Sequence, residues 1–137
     1  MGLIHLDAGV LIGFLDATDA HHQTARAALA DALQEGEHLA LAASALAESL
    51  VGPARLGGSA VDAVRTLVDR LPINIISLDV EIATTAARLR AAHRALRLPD
   101  ALIIATAVEQ AADRLITTDR RWPTAKALGY KGTITKL

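Results

Sequence analysis

The chain has no cysteine, one methionine, and one each of phenylalanine, tryptophan and tyrosine. The missing cysteines exclude disulfide staples, thiolate zinc sites and cysteine nucleophiles, and they fit a reducing compartment. Three aromatics, Phe14, Trp122 and Tyr130, are too few for an extended platform on which bases could stack. Neither charge sign is in excess: 14 basic against 15 acidic residues leave a formal net charge of -1. A polyanionic ligand would therefore need a local basic patch, because the molecule as a whole has no attractive field. Long apolar runs are missing too. The stretches Leu39 to Ala47 and Ala101 to Val108 fall far short of the roughly 20 residues of a membrane span. The start, MGLIHLDAG, has no basic leader pattern, and the expectation is a soluble, cytoplasmic protein.

What is present is a core. The 137 residues are 52% hydrophobic, enough for a single domain. Short β-type runs lie at Leu3 to Leu6, Leu39 to Ala42, Ile73 to Leu78, Leu115 to Thr118 and Thr133 to Leu137. Helical patterns occupy Ala8 to Leu15, Ala20 to Leu33, Ser44 to Val51, Ser59 to Leu71, Val80 to Leu96, Pro99 to Ala112 and Thr124 to Leu128. The Gly52-Pro53 pair is expected to end the third of these, and Pro99 to separate the fifth from the sixth. Strands alternating with helices predict an α/β domain, a three-layer α/β/α sandwich on a mostly parallel sheet of about five strands.

Four acids stand apart in this pattern. Asp7 follows the first strand in LIHLDAGVLI, and Asp119 follows the fourth in RLITTDRRW. Glu48, in SALAESLVG, is the only charged residue between His38 and Arg55, and Asp100 opens an apolar helix in LPDALIIATA. Taken singly, each suits a helix cap, a turn or an ion pair. Together they flank the carboxyl-end edge of the sheet, where ligands bind in open α/β folds. A carboxylate cluster stays ionised only beside a cation, and all-oxygen donors suit Mg2+ or Mn2+. Such an ion lowers the pKa of water and stabilises charge on a phosphoryl oxygen, which is the chemistry of phosphodiester hydrolysis.

The order Asp7, Glu48, Asp100, Asp119, carried by LDAGVLIGFLD, LPDALIIATA and LITTDRRW, resembles the PIN domain, and within it the VapC-type toxins of bacterial toxin–antitoxin pairs. The resemblance covers nearly the whole chain. It implies a metal-dependent ribonuclease using Mg2+ or Mn2+ and activated water, with products bearing 5′-phosphate and 3′-hydroxyl. It also implies a homodimer, neutralised by a small cognate antitoxin. Asp7, Glu48, Asp100 and Asp119 match the acidic site, and Thr117 matches the hydroxyl of a T-x-D motif. The chain departs from the pattern at Ala8 and Gly9, where many relatives carry Ser, Thr or Asn. It departs again at Arg121 and Trp122, where an acid or other polar residue and Phe are frequent, so no fifth acidic ligand is evident.

Basic residues supply candidate RNA contacts. The eighteen residues Ile82 to Pro99 contain no acid, and on one helix Arg90, Arg94 and Arg97 would share a face. Arg120 and Arg121 beside Asp119 are rival phosphate contacts. His5 shares a strand face with Asp7 and is expected to be a hydrogen-bonded core histidine. Two other functions stay open: a catalytically idle PIN binding module, and a receiver-like phospho-acceptor domain. The second lacks the paired early acids it needs, since LIHLDAG offers one Asp.

Overall fold

The structure is a computed structural model and describes residues 2–137. Five strands form one sheet: β1 (Leu3–Leu6), β2 (His38–Ala42), β3 (Ile73–Ile76), β4 (Arg114–Thr117) and β5 (Thr133–Lys136). Seven helices complete the chain: α1 (Ala8–Leu15), α2 (His22–Gln34), α3 (Ala43–Leu56), α4 (Gly58–Arg70), α5 (Val80–Ala92), α6 (Leu98–Glu109) and α7 (Ala125–Leu128). Every strand pairing is parallel, in the order β3-β2-β1-β4-β5. The helices flank this sheet in the expected α/β/α sandwich. With both faces covered, the central strands lose their alternation: Ile4, His5 and Leu6 of β1, and Leu115, Ile116 and Thr117 of β4, are all buried.

The topology decides where a site can form. From β1 the chain builds outward through β2 and β3 on one side, then crosses to β4 and β5 on the other. The direction of winding reverses between β1 and β4, so a crevice opens at their carboxyl ends. Asp7 lies there: its backbone N–H donates to the Ile116 carbonyl at 2.9 Å, continuing the β1–β4 ladder by one step.

Most helix ends shift by three residues or fewer from the sequence reading, and two differ by more. α3 does not stop at Gly52-Pro53 but runs through Pro53 to Leu56. Pro53 is half-buried and the residues that follow it, Ala54 to Leu56, are exposed, so little core packing depends on the turn that lacks its N–H. α5 ends at Ala92, not Leu96. The chain must reverse within His93–Arg97 so that α6 can pack back on α5, and it does so by tucking Leu96 into the core. Arg90 is therefore helical, whereas Arg94 lies in a turn and Arg97 is the extended N-cap residue of α6. The single helix face proposed for Arg90, Arg94 and Arg97 does not exist. Among the described residues no helix is long and apolar enough to cross a membrane.

Candidate active site

Asp7 is the N-cap of α1, and its Oδ1 accepts from the Ala8 N–H at 2.7 Å. That is the capping role its position suggested, but the other oxygen does something else. Thr117, the last residue of β4 and fully buried, donates its hydroxyl to Asp7 Oδ2 at 2.6 Å. The same Thr117 Oγ1 accepts from the Asp119 N–H at 3.0 Å. One hydroxyl thus ties the acid after β1 to the acid after β4, as adjacent parallel strands allow.

Burial raises the pKa of Asp7, and the charges of Asp100 and Asp119 raise it further, against the hydrogen bonds from Thr117 and Ala8. Glu48, half-buried on α3, is also raised, by burial first and then by the charges of Asp7 and Asp100, with Arg97 opposing. Its Oε1 is buried and has no hydrogen-bond partner. Asp100 sits in the first turn of α6, buried, with its Oδ2 3.4 Å from Arg97 Nε. It is not a capping residue: the N-cap position belongs to Arg97, which makes no capping side-chain bond.

Asp119 behaves differently. Arg121 donates to it three times: its backbone N–H to Oδ1 at 2.9 Å, Nε to Oδ1 at 3.2 Å, and Nη2 to Oδ2 at 3.2 Å. The guanidinium bonds, ahead of all else, hold the Asp119 carboxyl below the usual carboxylate range.

The charges of Asp100 and Asp119 thus reach Asp7, and those of Asp7 and Asp100 reach Glu48. The four acids do not meet as a ready cage: among the described residues, no three of His, Cys, Asp or Glu stand together closely enough to hold a metal ion as placed. The donor chemistry still fits one. All donors are carboxylate oxygens, one buried oxygen of Glu48 is unpaired, and Asp7 and Glu48 are pushed toward protonation by burial first and then by their anionic neighbours. Arg97 and Arg121 already place positive charge against Asp100 and Asp119.

A cleft of about 400 Å3 runs beside the acids, lined by Arg94, Arg97, Asp100, Asp119, Arg121 and Trp122 among others. A second, more open one beyond Asp119 is bordered by His21, Thr118, Asp119, Arg120 and Arg121. Arg90 lines neither. Trp122 is buried by the strand end, as its sequence position suggested, although its indole N–H has no partner. His5 is buried but not hydrogen-bonded: both ring nitrogens lack partners, and burial pulls its pKa down to about 4. Two features were not read from the sequence. One is the Arg121 clamp, although the T-D-R-R spacing carried the signal. The other is the fit of Thr118 over Gly9, where a Cβ would collide with the Thr118 hydroxyl.

The sequence matches the family described as the PIN domain over residues 4–128. No curated protein matches it. Among solved structures, a toxin–antitoxin complex from Klebsiella pneumoniae is 25% identical, with a TM-score of 0.68, over 86% of this chain and 88% of that one. VapBC2 from Rickettsia felis, bound to a DNA fragment from its promoter, is 15% identical with a TM-score of 0.71, over 98% of both chains. The sarcin–ricin-loop-cleaving toxin VapC20 of Mycobacterium tuberculosis is 16% identical with a TM-score of 0.69, over 86% of this chain and 91% of that one.

Proposed function

The chain belongs to the PIN domain family, and from that premise we propose that it is a divalent-metal-dependent ribonuclease acting as the toxin of a toxin–antitoxin pair. The observation that carries the catalytic part is the hydroxyl bridge Asp7–Thr117–Asp119 at the switch point of the sheet, with Glu48 and Asp100 within electrostatic reach of Asp7. Asp7, Asp100 and Asp119 would hold Mg2+ or Mn2+, with Glu48 completing the set. When bound, the ion supplies a lowered water pKa and neutralises charge on a phosphoryl oxygen.

The chain's own residues do the rest. Thr117 fixes the Asp7 carboxylate and the Asp119 backbone in one arrangement, so neither must be ordered during reaction. Burial of Asp7 and Glu48 excludes water from one side of the site. Arg94, Arg97 and Arg121 bring positive charge to the cleft wall where an RNA phosphate would lie. Hydrolysis of the phosphodiester leaves a 5′-phosphate and a 3′-hydroxyl. The exposed apolar side chains Val51 and Leu56 on α3 supply surface for the proposed protein partners, an antitoxin and a second copy of the chain.

The test is cleavage of an RNA pool by the purified chain with Mg2+ or Mn2+ against EDTA. Cleavage should require the metal and vanish in Asp100→Asn. RNA binding without cleavage by the native chain would favour the idle binding module, and uptake of label from a phosphoryl donor would favour the phospho-acceptor.

The cleft also ranks the arginines. In an Asp7→Asn background that prevents turnover, Arg94→Ala should weaken RNA binding and reduce the slope of log K against log salt by about 0.7. Arg90→Ala should leave both unchanged. Fluorescence anisotropy at several salt concentrations measures this, and equal effects of the two substitutions would remove the cleft as the RNA path.

A further inference from the structure

We propose that Arg121 is an internal counter-cation that competes with the divalent ion for Asp119, so that metal binding and the Arg121–Asp119 pair exclude one another. This rests on the metal-site reading above and adds to it a residue that controls loading of the site.

The geometry sets the competition. Both carboxylate oxygens of Asp119 are engaged: Oδ1 by Arg121 Nε and Oδ2 by Arg121 Nη2, each at 3.2 Å. A two-point grip of this kind fixes the Asp119 carboxylate against the guanidinium and occupies both of its oxygens. Among the described residues, no three acids close on an ion in the arrangement that contains this pair. Asp100 shows a looser version of the same contact, at 3.4 Å from Arg97 Nε. Asp7 and Glu48 have no guanidinium bonded to them: hydrogen bonds from Thr117 and Ala8 hold Asp7, and only the more distant charge of Arg97 acts on Glu48. The arginines therefore bond the two acids that line the cleft, Asp100 and Asp119, and not Asp7 or Glu48.

The grip is also releasable. The Arg121 side chain is 86% exposed against 20% for Asp119, so water can take the guanidinium back, and exposed ion pairs of this kind are weak. Arg121 borders both clefts, so it has solvent on either side into which to turn. The backbone bond from Arg121 N–H to Asp119 Oδ1 can persist when the guanidinium leaves, since it depends on the turn and not on the side chain.

The test is Mn2+ binding to the full chain without RNA, followed by calorimetry and by the electron paramagnetic resonance of free Mn2+. Arg121→Gln should bind Mn2+ roughly two- to fivefold more tightly than the native chain. Loss of any nearby positive charge would raise cation affinity somewhat, so Arg120→Gln is the control: Arg120 is exposed and has no carboxylate partner. Arg121→Lys, which keeps the charge but not the two-point grip, should fall between the native chain and Arg121→Gln. Equal affinities for Arg121→Gln and Arg120→Gln, or weaker binding by Arg121→Gln, would overturn the competition while leaving the metal site standing. If Asp119→Asn binds Mn2+ as tightly as the native chain, Asp119 is no ligand and the competition is again excluded, with the other acids still eligible. If the native chain and every variant bind no Mn2+, both the competition and the metal reading fall together.

Discussion

Asp7→Asn should lower metal-dependent RNA cleavage on the order of 10³-fold or more, while its melting temperature at pH 7 equals or exceeds that of the native chain. The two halves have one cause. Asp7 is buried beside other acids, and its folded pKa lies above the ordinary carboxylate value. A group whose pKa rises on folding stabilises the fold only in its protonated form. That favourable state is complete below the unfolded pKa and is lost as pH rises through the folded one. At pH 7 the ionised Asp7 therefore costs stability, and asparagine removes the charge while its side-chain oxygen can still accept from the Ala8 N–H. The advantage of the variant should shrink as pH falls toward the carboxylate range. Thermal melts at pH 7 and pH 4.5, beside RNA cleavage assays, measure both. Retained cleavage would remove Asp7 from the site. A large fall in melting temperature at pH 7 would make it a structural cap first and an acid second.

Thr117→Val should have the second-largest effect, and it should strike stability and activity together. Valine keeps the shape of threonine but removes the hydroxyl that both donates to Asp7 Oδ2 and accepts from the Asp119 N–H. Two polar groups are left without a partner in a region where Thr117 is fully buried, and each such loss costs about 1–3 kcal/mol. Cleavage should drop about 10- to 100-fold, the usual cost of losing a group that orients a metal ligand. The pH profile should move as well. The Thr117 bond opposes the upward push on Asp7, so without it Asp7 ionises at higher pH and the acid limb of the rate profile shifts upward. Thr117→Ser should restore most of the activity and the original limb, because it returns the hydroxyl. A valine variant with normal rate and an unmoved acid limb would mean the bridge is incidental.

The course of the chain was legible in its sequence because its punctuation is local. The apolar runs of β1 and β4 and the acids that follow them can be read by eye, and a parallel sheet needs no long-range cue beyond their alternation with helices. The four acids could be collected because each interrupts an apolar stretch, and burying a lone charge there is costly enough to need a reason. What stayed hidden depends on three-dimensional competition. Pro53 is a helix breaker by rule, yet α3 passes through it close to its exposed end. Arg94 and Arg97 keep helical spacing on paper, but the reversal into α6 takes them off α5. His5 has strand spacing from Asp7, but only the packing of β1 between two strands shows that its ring finds no partner. Arg121 could be named beside Asp119 without its two-point grip being foreseen, since that depends on the backbone turn after Thr117.

The fit of Thr118 over Gly9 carries a consequence for how this site can vary. Position 9 holds no side chain because the Thr118 hydroxyl fills the space a Cβ would take. The two positions share one volume although 109 residues separate them in the chain. A side chain can enter at position 9 only if position 118 gives way, so each site's tolerance is conditional on the other. A serine at position 9 would therefore need the Thr118 hydroxyl to turn aside, and pairing Gly9→Ser with Thr118→Ala would remove the contact.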